Sequence, residues 1–271
     1  MAVTRTFDAQ PAAPEIAVRT ISTADLRAVL SEGYRDFLEK RGDLIVVGLI
    51  YPIIGFVAAA VSLGGQLIPL FFPIAAGIGL LGPVAALGFY ELARRREAGL
   101  DSSWRHFLDV TKRPGWDSIM AVAGILLLIF SAWLLSAWIL YALFIDAPPQ
   151  SVSYFVERLL VTQGGWRLIA IGNLVGIAFA ALVLTLSVVS LPMLVDCDVG
   201  ARTAIATSIR AVKANKGLMF LWGVIVAVLL VLGSIPAFVG LAFVLPWLGY
   251  ATWHLYTRLV DRTDLPRHAA G

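Results

Sequence analysis

The sequence has one cysteine, three histidines and little charge. A lone Cys197 excludes an internal disulfide framework and any multi-cysteine zinc or iron–sulfur site. Three histidines are too few for a multi-His metal centre or a haem-rich protein, so no cofactor is expected. Charged residues make up only 14% of the chain against about 25% in ordinary globular proteins. Catalytic signatures are missing as well: no His-Glu-x-x-His, no Gly-x-Ser-x-Gly, no glycine-rich phosphate loop and no pair of aspartates within an apolar run. What fills the space is apolar. Hydrophobic residues reach 59% and mean hydropathy +0.84 over 271 residues, too little polar surface to cover a water-soluble core. A soluble enzyme, a disordered chain and a coiled coil are excluded. The pI near 9.2 comes with a net charge of only +3, which gives no basis for nucleic-acid binding.

Residues 1–21 are polar, contain Pro11 and Pro14, and read as a disordered tail. From Ser22 or Thr23, good N-cap types, Leu26, Val29, Leu30, Gly33, Phe37 and Leu38 recur at helical spacing, with Arg27, Glu32, Arg35, Asp36 and Glu39 between them. This predicts an amphipathic helix over 22–41, lying on a membrane surface or against the bundle. A membrane domain over 42–262 and a tail over 263–271 complete the layout. A crossing needs about 20 mainly apolar residues. Six stretches qualify, near 44–63, 67–90, 118–145, 168–195, 218–235 and 237–257. Residues 1–40 carry charges throughout without an apolar leader core, so the first crossing is expected to act as its own uncleaved targeting signal.

Six crossings put nineteen of the 21 lysines and arginines on one side and only Arg158 and Arg167 on the other. The positive-inside rule makes the rich side cytoplasmic, with both termini inside. Two loops on that side, 101–112 and 199–214, read as short amphipathic interfacial helices, with Asp101 and Asp198 as their caps. Pro83 and Pro192 each lie near the end of the crossing before one of these loops, which suggests a parallel internal repeat, although Gly99 follows its proline by sixteen residues and Gly200 by only eight. The predicted fold class is all-α and polytopic, with six transmembrane helices and short interfacial helices on the cytoplasmic side.

Few residues could carry chemistry. Pro69, Pro73, Pro83, Gly79 and Gly82 break the second crossing, which reads either as close packing or as the broken helix of a transporter. Asn173 is the most deeply placed strong hydrogen-bonder, and one interhelical bond accounts for it. His254 lies about a turn inside the cytoplasmic end of the last crossing, as an anchor in the aromatic belt or a proton-linked group. Glu91 has Arg94 and Arg95 at ion-pair spacing. Asp196 and Asp198 flank Cys197; capping by Asp198 explains them more simply than a metal, which would need further ligands.

The run Ser190-Leu191-Pro192-Met193-Leu194-Val195-Asp196, continuing through Ala204-Ile205-Ala206-Thr207-Ser208 to Asn215, resembles the bacterial integral membrane proteins grouped as domain of unknown function 2189. So do Gly82-Pro83, Phe89-Tyr90-Glu91-Leu92 and Gly99-Leu100-Asp101. The similarity extends over roughly residues 20–262. A looser likeness connects the same pattern to the membrane domain fused to some glycerophosphodiester phosphodiesterases, a domain without catalytic residues of its own. The resemblance implies a bacterial inner-membrane location and no assigned activity, so no functional residue carries over. Some relatives bear a cytochrome-oxidase label. A haem–copper catalytic subunit needs about six histidine ligands, and only His254 lies in a crossing here. The expected partners are the lipid bilayer and another inner-membrane complex, in a non-catalytic scaffold or accessory role. A small transporter or channel is the alternative.

Overall fold

The computed structural model describes residues 16–39, 67–71, 73–74, 82–145, 151–236, 238–263 and 265. The first expected crossing, Gly79 and the outer parts of both tails lie outside these residues. Among the described residues the fold is all-helical, with one isolated bridge between Val18 and Val260.

The helices are α1 (Thr23–Glu39), α2 (Gly82–Ala85), α3 (Leu87–Glu97), α4 (Trp116–Phe144), α5 (Val152–Val161), α6 (Gln163–Ser187), α7 (Ser190–Asp196), α8 (Ala201–Ala214), α9 (Lys216–Ser234) and α10 (Leu241–Leu259). Three stretches are long and apolar enough to cross a membrane: Trp116–Phe144, Gln163–Asp196 and Lys216–Ser234. They coincide with the third, fourth and fifth expected crossings. The shortest, at 19 residues, spans ~28 Å at ~1.5 Å per residue, close to the ~30 Å of hydrocarbon. Outward-facing Leu128, Leu143, Leu174, Phe220 and Val231 are exposed along these helices, as a lipid-contacting surface requires.

Three of the six expected crossings are thus found among the described residues, and the first lies outside them. In the described part of the second, Ile68–Leu70 forms a 3-10 turn and Ala86 separates α2 from α3. The last expected crossing is helical as α10, but Pro246, His254 and Arg258 dilute its apolar character. Much of α10 is instead core: Leu248, Tyr250, Ala251, Trp253, Leu255 and Tyr256 are all buried.

The expected amphipathic helix forms as α1. Ser22 Oγ accepts from Asp25 N–H at 3.2 Å while Asp25 Oδ2 accepts from Ser22 N–H at 2.7 Å, a reciprocal cap at the helix start. Its apolar face, Leu26, Val29, Gly33 and Phe37, is buried. Of the two placements open to this helix, the bundle wins, because α1 packs along α10. Gly33 makes this possible: a Cβ there would lie 2.5 Å from the backbone nitrogen of Ala251.

Three further expectations are corrected. Residues 16–21, expected within a disordered tail, are tied down: Arg19 N–H donates to Leu259 O at 2.8 Å, and Asp261 N–H donates to Ala17 O at 3.0 Å. The loop 101–112 is not an α-helix but two 3-10 turns, Trp104–His106 and Asp109–Lys112. Its Asp101 bonds Ser103 rather than capping a helix. The loop 199–214 is helical as α8, but its N-cap is Gly200 rather than Asp198. Gly99 and Gly200 both adopt positive φ, 70° and 76°, each just beyond α3 and α7 respectively.

A candidate functional site at the charged end of the bundle

The ends of α3, α7 and α10 meet α1 and the loop after α3, and there most ionised side chains of the described core pair with one another. On α1, Asp25, Glu32 and Asp36 line the polar face that meets α10. On α10, His254 and Arg258 stand one helical turn apart, opposite them. Arg258 donates through both terminal nitrogens to Glu32, at 2.8 and 2.7 Å. His254 Nε2 sits 2.8 Å from Asp36 Oδ2, and its Nδ1 lies 3.5 Å from Glu32. Arg96, from α3, reaches Asp36 at 3.2 Å and also pairs with Glu39. The Arg258 hydrogen bond holds the Glu32 carboxyl below the usual carboxylate range, because the cation favours its charged form.

A second group joins α3, α7 and α10. Arg262 donates to Glu97 at 2.5 Å and to Asp196 at 3.3 Å, while Tyr256 donates its hydroxyl to Asp196 at 2.9 Å. Trp253 Nε1 donates to Glu97 at 3.0 Å. A third group centres on Glu91, whose side chain is fully buried. It accepts from Arg94 at 3.1 Å and from Arg113 at 2.6 Å, with Arg95 at 4.0 Å. Arg95 is also paired with Asp109 at 3.8 Å, and Asp109 takes hydrogen bonds from Lys112 and His106, both at 2.6 Å. The Lys112 bond, then the His106 bond, hold the Asp109 carboxyl low. Burial makes such pairs expensive to break, since a lost partner leaves a charge in low dielectric.

The structure brings Glu91, Asp196 and His254 to this one end and leaves the other sequence candidates apart. Glu91 meets Arg94, as the spacing predicts, yet its shortest bond comes from Arg113, 22 positions on. Asp198 is exposed. Asn173 is exposed on α6, and its Nδ2 donates to Ile169 O of the same helix at 2.7 Å, not across helices. Pro73 O accepts from Trp133 Nε1 at 3.1 Å, which satisfies one carbonyl of the broken segment. Pro69 is buried in the turn before it, and Gly82 and Pro83 form α2.

Sequence reasoning missed Glu32, Asp36, Glu97, Arg113, Arg258 and Arg262. A signal existed for three of them, Glu32, Asp36 and Arg258. Glu32 and Asp36 are one turn apart on a helix, His254 and Arg258 are one turn apart on another, and the two sets have complementary charge. Chemically, the arrangement locks helices together. Its carboxylates accept hydrogen bonds from guanidinium, indole, phenol or imidazole groups, and the pairing neutralises charge beside an apolar core.

Residues 71–196 match the model of the family described as predicted integral membrane protein, domain of unknown function 2189. The likeness first drawn from the proline–acidic motifs therefore holds over that segment, which is narrower than 20–262. It contains Glu91, Asp101, Pro192 and Asp196. No curated protein and no solved structure matches the chain.

Proposed function

We propose that this protein is a non-catalytic scaffold or accessory component of the bacterial inner membrane, crossing it six times with both termini in the cytoplasm. The carrying observation is the fate of the two polar residues a transport path would use. Asn173 is exposed on α6 and bonds its own helix, whereas His254 is held by Asp36 and Glu32 on α1. The bundle is filled by an apolar core that includes Leu126, Trp222 and Leu245. The charged end spends its ionised groups on joining helices, which suits a rigid platform better than a site that exchanges protons or solutes.

The broken stretch around Pro69 and Pro83 favours the second reading, a small transporter or channel. The Trp133 bond to Pro73 O weighs against it, because a satisfied carbonyl is a poor ion ligand. Two experiments separate the readings. Native co-purification in mild detergent, with mass spectrometry of proteins and lipids, is expected to recover a stoichiometric membrane partner. The purified protein in sealed vesicles is expected to move no solute faster than empty vesicles do. A flux abolished by Asn173→Leu and His254→Phe would overturn the scaffold reading.

A further inference from the structure

At the end of α4 opposite the ion-pair network, the chain folds back through α5 into α6 around a cavity of about 140 Å³. Phe144, Ile145, Arg158, Thr162 and Gly164 line it. Arg158 is the one charged residue of this lining. Its Nε is buried without a hydrogen-bond partner, and its guanidinium stands 5.6 Å from the centroid of the Tyr154 ring. The neighbouring Glu157 is exposed, and among the described residues no carboxylate pairs with Arg158. The contrast with the other end is plain, where Arg94, Arg95, Arg96, Arg113, Arg258 and Arg262 each face a carboxylate.

The walls are fixed. Thr162 Oγ1 accepts from Gly165 N–H at 2.9 Å and donates to Arg158 O at 2.6 Å. A Cβ on Gly164 would lie 2.1 Å from Phe144 O, so two backbones touch at this corner. We propose that the cavity binds the phosphate of an anionic phospholipid headgroup, gripped by the Arg158 guanidinium. A guanidinium presents a planar fork of donors that matches phosphate oxygens. The corner joins the ends of two helices apolar enough to cross the bilayer, so it stands where hydrocarbon gives way to headgroups. Leu160, Val161 and Trp166 are exposed beside it, an apolar and indole skirt that suits acyl chains and carbonyls rather than a free anion. The proposal needs α4 and α6 to cross the bilayer and is independent of the scaffold reading.

The test uses the full chain, delipidated in mild detergent and titrated with phosphatidylglycerol, with diacylglycerol of the same acyl chains, and with inorganic phosphate. Native mass spectrometry is expected to show phosphatidylglycerol bound in preference to diacylglycerol. Arg158→Gln is expected to weaken that binding about tenfold, the loss of one charge-assisted contact. Arg158→Lys should recover part of it, and Arg167→Gln, at an exposed residue of α6, should leave it unchanged. Should Arg158→Gln fail to fold, hydrogen exchange of the wild type decides: residues 151–165 should be protected by phosphatidylglycerol and not by diacylglycerol. Equal binding of the two lipids, wild-type affinity in Arg158→Gln, or protection by inorganic phosphate without phosphatidylglycerol binding would each overturn the proposal.

Discussion

Arg258 near the end of α10 grips Glu32 on α1 through both terminal nitrogens, joining residues 226 positions apart. The pair carries a pH dependence of definite sign. The folded Glu32 carboxyl lies below its ordinary value, which is about 4.3 in model peptides. A depressed carboxyl pKa stabilises the folded state while the group is ionised. The contribution is fully present above about pH 4.3 and is lost as pH falls through the lowered folded value. Both side chains remain about a quarter exposed, so solvent screening limits the effect to about 1 kcal/mol. The protection of α1 amides in detergent, taken relative to their intrinsic exchange rate at each pH, should fall below about pH 4, and Glu32→Gln should remove most of that dependence.

Gly33 tests whether α1 belongs to the bundle. A methyl group there would meet the Ala251 nitrogen at 2.5 Å and the Ala251 Cα at 2.7 Å, both of them backbone atoms that cannot rotate away. Gly33→Ala should therefore displace α1 and cost about 1–3 kcal/mol, the range for overpacking. Ala251→Gly should not rescue it, because the nearest clashing atoms remain. Thermal unfolding in detergent, with proteolysis between α1 and the rest of the chain, reads both effects. A wild-type melting curve for Gly33→Ala would place α1 away from α10.

Glu91 is the costliest single carboxylate to neutralise. It is fully buried and faces three guanidiniums, of which Arg94 and Arg113 bond it directly. Glu91→Gln keeps the shape and leaves buried cations without their counter-charge, which costs about 3–5 kcal/mol. Glu39→Gln removes a carboxylate that is 61% exposed, and a change of about 0.5 kcal/mol or less is expected. Comparable midpoints for the two variants would contradict the assignment of Glu91 as a structural keystone.

How far the sequence reached depended on the range of the interactions. The cap at Ser22, the apolar faces of α1 and α8 and the Glu91–Arg94 pair all arise from residues within a few positions of one another. Such short-range patterns can be read directly from spacing. The seam between α1 and α10 could not, because Glu32 and Arg258 meet only through the packing of distant helices. Asp101 and Asp198 show the opposite failure. Aspartate is a good cap type, but Ser103 engages Asp101 locally, and the positive φ of Gly200 starts α8 two residues beyond Asp198. Asn173 reads as an interhelical bonder from its place in the sequence, but its side chain is exposed on α6 and bonds Ile169 O of the same helix.

Asn215 offers a test of the clamp on residues 16–22. Its Oδ1 accepts from Ile21 N–H at 2.9 Å, and its Nδ2 donates to Arg19 O at 3.1 Å and to Ala211 O at 3.0 Å. One amide thus satisfies backbone groups of the N-terminal segment and of α8 at the junction with α9. Asn215→Ala deletes all three bonds, at a net cost of about 1 kcal/mol for each buried bond that water does not replace. Asn215→Asp keeps an acceptor for Ile21 but sets a buried carboxylate oxygen against Arg19 O and Ala211 O, so it should cost at least as much as alanine. The loss should be concentrated in this segment, since none of the three bonds reaches α4 or α6. Hydrogen exchange is expected to speed up at Ile21, and at Arg19 and Asp261, whose amides bond Leu259 and Ala17. Amides in the middle of α4 should keep wild-type protection. Uniform acceleration through α4 would mean instead that the clamp and the bundle unfold as one unit.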